Sequence, residues 1–420
     1  MRFLPCCCGH HVVRSAEAGP QGDVRHRPIG DCLTMRRREF LASAMIPVIP
    51  KAPAITKVEY WVRPYRTKAY FKFFKNSQRA SVIIKVTAED GTAGWGQAVP
   101  VETWSYESVE ACEATLKHYL IPAVKGLNPT DLAAAHTAMN NAIRPSFSTG
   151  MPISKAGIDL ALHDLAGRLA RKSVPEMWGL KPMERVTLSW TLNPQKLDDV
   201  PVLMEEGRKL GYKHFNIKVA PDPKFDLELA KAVRRYDAKC FLWADANGGY
   251  DLETALAVAP KLRDAGVDVL EQPLPANRLT GFAAMKKQGA LPVIMDEGLV
   301  SSVELEEFIK MKLLDGIAMK PARTAGLWDA RKQVQMALDN GLMFLGSGLT
   351  DPDLALAATL QLYGAYNLKY PAALNGLQFL AGSYLKKPFE LEDGALRVPA
   401  GPGLGVEVDE RKVYENPISA

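Results

Sequence analysis

No stretch of this chain is both long and apolar enough to cross a bilayer as a helix, so no membrane span is expected. Cysteine is scarce through most of its length. Four of the six (Cys6, Cys7, Cys8 and Cys32) crowd near the start, and the rest holds only Cys112 and Cys240, too few for a disulfide framework. An excess of one charge is missing too. The formal net charge is +5 over 420 residues, but residues 1–54 hold eight Lys/Arg against four Asp/Glu, which leaves about +1 for the remainder. A near-neutral body of mixed sign argues against a nucleic-acid partner. Gly401, Gly403 and Gly405 follow no strand and open no helix, so no nucleotide loop is expected there.

The basic start has its own pattern. From Met35 the chain reads Arg36-Arg37-Arg38-Glu39-Phe40-Leu41, then a short apolar stretch and Ala52-Pro53-Ala54. Paired arginines, an apolar stretch and small residues at an A-x-A site resemble a twin-arginine export signal. The expectation is an exported, periplasmic protein, with a cytoplasmic one as the alternative, and either Met1 or Met35 as the start of translation.

Beyond this leader (1–54), residues 55–165 read as an α+β region. SVIIKVTAED alternates like a strand and ends in the turn Asp90-Gly91; helical patterns follow over 105–141 and 153–171. After Lys181-Pro182 short apolar runs alternate with amphipathic helices: VTLSW, HFNIKV, CFLWADA, VDVLEQP, LPVIMDE, DGIAMKP, LMFLGSG and AALNGLQFL. Eight strand-and-helix units of this kind close into a parallel barrel, here over residues 166–379. Residues 380–420 leave that rhythm.

Charged residues fall where these strands end. Lys218, Asp245, Glu271, Asp296 and Lys320 close strands 2 to 6, and the gaps between them, 27, 26, 25 and 24 residues by subtraction, are each about one β/α unit. All five are thereby delivered to the rim of the barrel that carries active sites. Three carboxylates on adjacent strands repel one another unless a cation joins them, and oxygen-only ligands select a hard ion such as Mg²⁺, with Mn²⁺ as a substitute. Asn247 points to the same face, while Glu297 is expected to face the helices as support. Lys218 and Lys320, on opposite strands, are expected to have lowered pKa values and to move a proton at a carbon beside a carboxylate. A metal on that carboxylate stabilises the enolate formed.

These segments resemble the enolase superfamily and, within it, the muconate lactonizing enzyme subgroup. The resemblance runs from about Ile55 to Val413, through Ala93-Gly94-Trp95-Gly96, AGIDLALHD at 156–164, NIK at 216–218, DAN at 245–247, EQP at 271–273, DE at 296–297, KPARTAG at 320–326 and Pro402-Gly403-Leu404-Gly405. It implies a (β/α)7β TIM-like barrel under an α+β capping domain built from the N-terminal region and the C-terminal tail. It also implies Mg²⁺ on Asp245, Glu271 and Asp296, Lys218 and Lys320 as acid/base residues, and a dimeric or octameric assembly.

Three departures bear on the substrate. Asn216 stands where the family usually has the first lysine of Lys-x-Lys, a loss that Arg323 or the metal is expected to offset. Strand 7 ends Gly346-Ser347-Gly348 without the histidine of the mandelate racemase branch. Strand 8 gives Asn375 and Gln378 in place of an Asp-x-Asp. The basic, aromatic KAYFKFFK and Glu102-Thr103-Trp104 form either a lid over an anionic substrate or a hairpin packing its own core. Gln97 replaces a glutamate common in relatives. The function expected is a Mg²⁺-dependent racemase, epimerase or cycloisomerase of a small carboxylate. The alternatives are an acid-sugar or hydroxy-acid dehydratase and an exported protein that binds a carboxylate without turning it over.

Overall fold

The computed structural model describes residues 48–415 apart from Lys75 and Phe147. The twin-arginine-like motif and the cysteine-rich start lie outside the described residues. Strands β1 (Ile55–Thr67), β2 (Gln78–Ala88) and β3 (Ala93–Ala98) pair antiparallel in sequence order. One face of this sheet takes the helix Pro152–Ala170, which is buried from Pro152 to Gly167, its polar residues Lys155, Asp159 and Asp164 included. Glycine permits the contact: a Cβ on Gly96 would lie 2.3 Å from the Gly157 carbonyl oxygen.

After β4 (Arg185–Thr187), seven parallel strands follow in chain order: β5 (Trp190–Leu192), β6 (Phe215–Lys218), β7 (Leu242–Asp245), β8 (Val269–Glu271), β9 (Val293–Met295), β10 (Gly316–Met319) and β11 (Met343–Gly346). An eighth position closes the ring through single parallel bridges, Ala372 to Leu188 and Ala373 to Ser347. Trp243, Val269, Ile294, Ala318, Leu345 and Ala373 fill the interior, so the barrel has a packed floor. The expected eighth strand AALNGLQFL is cut short. Asn375 starts a helical turn over Gly376–Phe379, which removes Asn375 and Gln378 from strand alternation.

The C-terminal residues return to the first sheet. β12 (Leu380–Ala381) pairs with the end of β1, and Arg63 Nε donates to the Val413 carbonyl at 2.7 Å. β13 (Ala395–Arg397) pairs with β4. Gln97 joins sheet to barrel. Its amide donates to Tyr65 OH (2.9 Å) and Ser81 Oγ (2.7 Å), and its carbonyl accepts from the main-chain N–H groups of Leu354 (3.1 Å) and Ala355 (3.3 Å) at the start of the helix Asp353–Ala365. The amide supplies the donors and the acceptor that these four partners need, where an ionised carboxylate could only accept. No helix among the described residues is long and apolar enough to cross a membrane.

Candidate active site

Parallel register sets the five charged residues side by side: Lys218 pairs with Asp245 and Asp245 with Glu271, while Asp296 and Lys320 directly follow β9 and β10. All five are buried. Strand order puts β6 and β10 four places apart, across an eight-membered ring. Both lysines lie under one indole: Lys320 Nζ is 4.5 Å and Lys218 Nζ 5.8 Å from the Trp104 ring centre.

The acids are held unequally. Lys218 Nζ bonds Asp245 Oδ2, and Lys320 Nζ lies 2.5 Å from Asp296 Oδ2. Arg323 Nη2 reaches Asp296 Oδ1 at 2.6 Å. Glu271 is left alone, both of its carboxylate oxygens buried without a hydrogen-bond partner. Among the described residues no three His, Cys, Asp or Glu side chains already meet as a ligand set, because Asp245 and Asp296 are turned onto the lysines. The three acids expected to share a cation stand on adjacent strands, two of them paired with amines.

Burial, with Asp245 and Asp296 beside it, pushes the Glu271 carboxyl well above the usual carboxylate range. Burial works against the charge on Lys218, but Asp245, Glu271 and Asp296 outweigh it and raise its pKa, the reverse of the lowering expected from the sequence. Two orphaned oxygens and an all-oxygen donor set fit an oxygen-bound divalent cation.

The supporting residues fall into two groups. Asn247 lies as expected, its main-chain N–H 2.9 Å from Asp245 Oδ1 and its Nδ2 3.1 Å from Asp245 Oδ2. Glu297 does not face the helices. Strand alternation ends at Met295, and the turn that follows swings Glu297 to the mouth, where its Oε1 accepts from Asn247 Nδ2 and Trp104 Nε1, each at 3.1 Å. Burial and the neighbouring Asp296 push its carboxyl up to about 7.

Arg323, expected to stand in for the missing lysine, is instead committed to Asp296. Asn216 is buried with neither its Oδ1 nor its Nδ2 paired. Asn375 donates to Thr191 Oγ1 at 3.3 Å and keeps an unpaired Oδ1, whereas Gln378 is spent on the main chain of Thr191.

The aromatic loops pack on one another, Phe71 against Phe73 and Phe74, and also lie over the lysines. Phe73 stacks on Trp104 at 5.0 Å with the rings 4° apart, Phe71 stacks on Phe379 at 4.6 Å, and Lys218 Nζ lies 5.8 Å from the Phe71 ring. Trp104 is thus a shared cover for both amines.

Two family models match the chain: the mandelate racemase/muconate lactonizing enzyme N-terminal domain over residues 58–179, and the enolase C-terminal domain-like model over residues 200–412. The chain belongs to the mandelate racemase/muconate lactonizing enzyme family. It is 29% identical over 356 residues to a chloromuconate cycloisomerase from Cupriavidus necator, covering 83% of this chain and 95% of that one. It is 27% identical over 361 residues to an N-succinyl-L-Arg/Lys racemase from Bacillus cereus, covering 84% and 94%. The crystal structure of 2-chloromuconate cycloisomerase from Rhodococcus opacus 1CP shares the fold, with a TM-score of 0.79 at 24% identity, covering 86% of this chain and 98% of that one. The protein is accordingly an enolase-superfamily isomerase. Enzymes of this family generally use a divalent metal.

Proposed function

We propose that this protein is a Mg²⁺-dependent isomerase that takes the proton from the carbon next to a substrate carboxylate, with Lys218 and Lys320 as its two bases. The observation that carries this reading is the pair of buried amines on opposite strands, flanking three acids beneath one tryptophan. Asp245, Glu271 and Asp296 would hold the Mg²⁺. When bound, the ion polarises the substrate carboxylate and stabilises the charge that develops as the neighbouring proton leaves.

The remaining work falls to side chains of this chain. Lys218 and Lys320 approach from opposite sides of the ring, so one amine accepts a proton at Nζ and the other delivers one. That arrangement serves a racemase or epimerase, and equally a cycloisomerase whose enolate is protonated by a lysine. Lys218 is ion-paired with Asp245 here. A cation held by Asp245 would compete for that carboxylate and so favour the neutral Lys218 amine a base must be. Trp104 and Phe71 exclude water from the reacting carbon.

The test is a carboxylate library incubated in D₂O with Mg²⁺-loaded protein and read by mass spectrometry. Deuterium uptake without loss of water is the expected result. A product lighter by water would make the protein a dehydratase, and silence across a broad library would leave it a carboxylate binder. We also propose, from the twin-arginine-like leader, that the enzyme is exported folded. Cell fractionation with Arg36, Arg37 and Arg38 all replaced by lysine tests this, and unchanged periplasmic recovery would refute it.

A further inference from the structure

Arg79, near the start of β2, is only 8% exposed. Its Nη1 donates to the Thr350 carbonyl at 2.8 Å, but Nε and Nη2 are buried with no hydrogen-bond partner. Two carboxylates act on it from beyond contact distance, Asp351 and Glu102. Asp351 is spent on Leu349 N (3.0 Å) and Thr359 Oγ1 (3.2 Å), and Glu102 is exposed. A buried guanidinium without an anion in contact is costly, so a partner supplied from outside the chain is called for. The pattern of vacancy identifies that partner. Nε and Nη2 form the side-on edge of the guanidinium, one of the edges that takes a carboxylate through two parallel bonds.

A cavity of about 570 Å³ adjoins this residue, lined by Arg79, Phe73, Phe74, Val101 and Glu102 among others. The Phe74 ring lies 5.6 Å from the guanidinium carbon, and Phe73 in the same wall stacks on Trp104, the cover of Lys320. We infer that Arg79 is a second carboxylate-binding position, its Nε–Nη2 edge taking a carboxylate that enters this cavity. It lies apart from the lysines and the metal-facing acids. The carboxylate comes from one of two sources: the far end of a substrate whose first carboxylate lies at the lysines, which rests on the proposed function, or a free acid, which does not.

Calorimetric titration of the Mg²⁺-loaded full chain separates these sources. Adipate, its monomethyl ester and acetate are compared in the wild type, Arg79→Gln and Arg79→Lys. A tethered carboxylate predicts adipate bound at least about tenfold tighter than the ester in the wild type, with that margin lost in Arg79→Gln and partly kept in Arg79→Lys. A free-acid site predicts acetate binding that disappears in Arg79→Gln. Identical binding of all three acids by wild type and Arg79→Gln, or no binding by the wild type, would overturn the assignment.

Arg79→Met guards against a folding artefact. It is expected to melt no lower than the ligand-free wild type, because it removes an unpaired buried charge. The wild type should gain more melting temperature from added adipate than Arg79→Met does. A variant melting far below a wild type that itself ignores the acid would mark Arg79 as purely structural. Binding at Arg79 without deuterium exchange on any acid would refute the proposed reaction and leave this site standing.

Discussion

Arg323 holds Asp296 by two atoms at once, its Nη2 lying 2.6 Å from both the side-chain Oδ1 and the main-chain carbonyl oxygen. Lys320 grips the other oxygen of the same carboxylate. Both oxygens of Asp296 are thus fixed by cations, and in the proposed metal site Arg323 would act as a positioning residue through this carboxylate. Residues that orient a ligand in this way typically set about 10–100-fold in metal affinity. Arg323→Ala should weaken Mg²⁺ binding by that order, read from the dependence of the melting temperature on Mg²⁺. Unchanged Mg²⁺ dependence would remove the arginine from this role.

Trp104 covers both amines and donates to Glu297. A cation over an indole contributes about 0.5–2 kcal/mol, more when the pair is desolvated. Trp104→Ala should lower kcat/KM roughly tenfold, while Trp104→Phe should keep most of it because the ring face survives. Equal losses in both variants would shift the weight from the ring to the indole N–H.

Asn216 carries a buried amide with no partner on either atom. Such a group costs about 1–3 kcal/mol until something bonds it. Asn216→Leu should leave the melting temperature unchanged or raised while KM for the true substrate increases. A fall in melting temperature with KM intact would make the amide a structural element.

Asp159 links the long buried helix to the barrel. It accepts from Leu327 N at 2.5 Å and lies 2.7 Å from His136 Nε2 and 3.2 Å from His163 Nδ1. Burial opposes its ionisation, but His163 and His136 outweigh burial and hold its carboxyl well below the usual range. A lowered folded pKa contributes stability above the unfolded value of about 4, and that stability drains away as pH falls from there toward the folded value. Asp159→Asn should cost about 3–5 kcal/mol at neutral pH, the loss typical of breaking a buried pair. The melting curves of variant and wild type should draw together below pH 4. A gap independent of pH would show that the charge itself contributes nothing.

Much of this site was legible in the sequence, because strand ends recur at one β/α unit and each delivers its charged residue to the same rim. What failed did so where local period gives out. Glu297 departs from the strand period because alternation stops at Met295, and Asn375 and Gln378 leave it because the eighth strand is only a pair of bridges. Arg323 carries a charge that suits a substrate, and only the fold shows it committed to Asp296. The fall of Lys218 onto Asp245 likewise depends on which charges are near, not on which strand carries them. The vacancy at Arg79 leaves no local mark, since it arises from sheet and barrel loop meeting 271 residues apart in the chain. Gln97 needed four partners in space before its amide made sense.

The most direct test is the rate of deuterium uptake at the carbon next to the carboxylate, followed by mass spectrometry in wild type, Lys218→Ala and Lys320→Ala with Mg²⁺ present. Loss of a general acid or base costs about 10²–10⁴-fold, so racemisation or cyclisation should fall by that order in each variant while both still bind the acid. Uptake at the wild-type rate in both alanine variants would contradict a proton carried by these two amines.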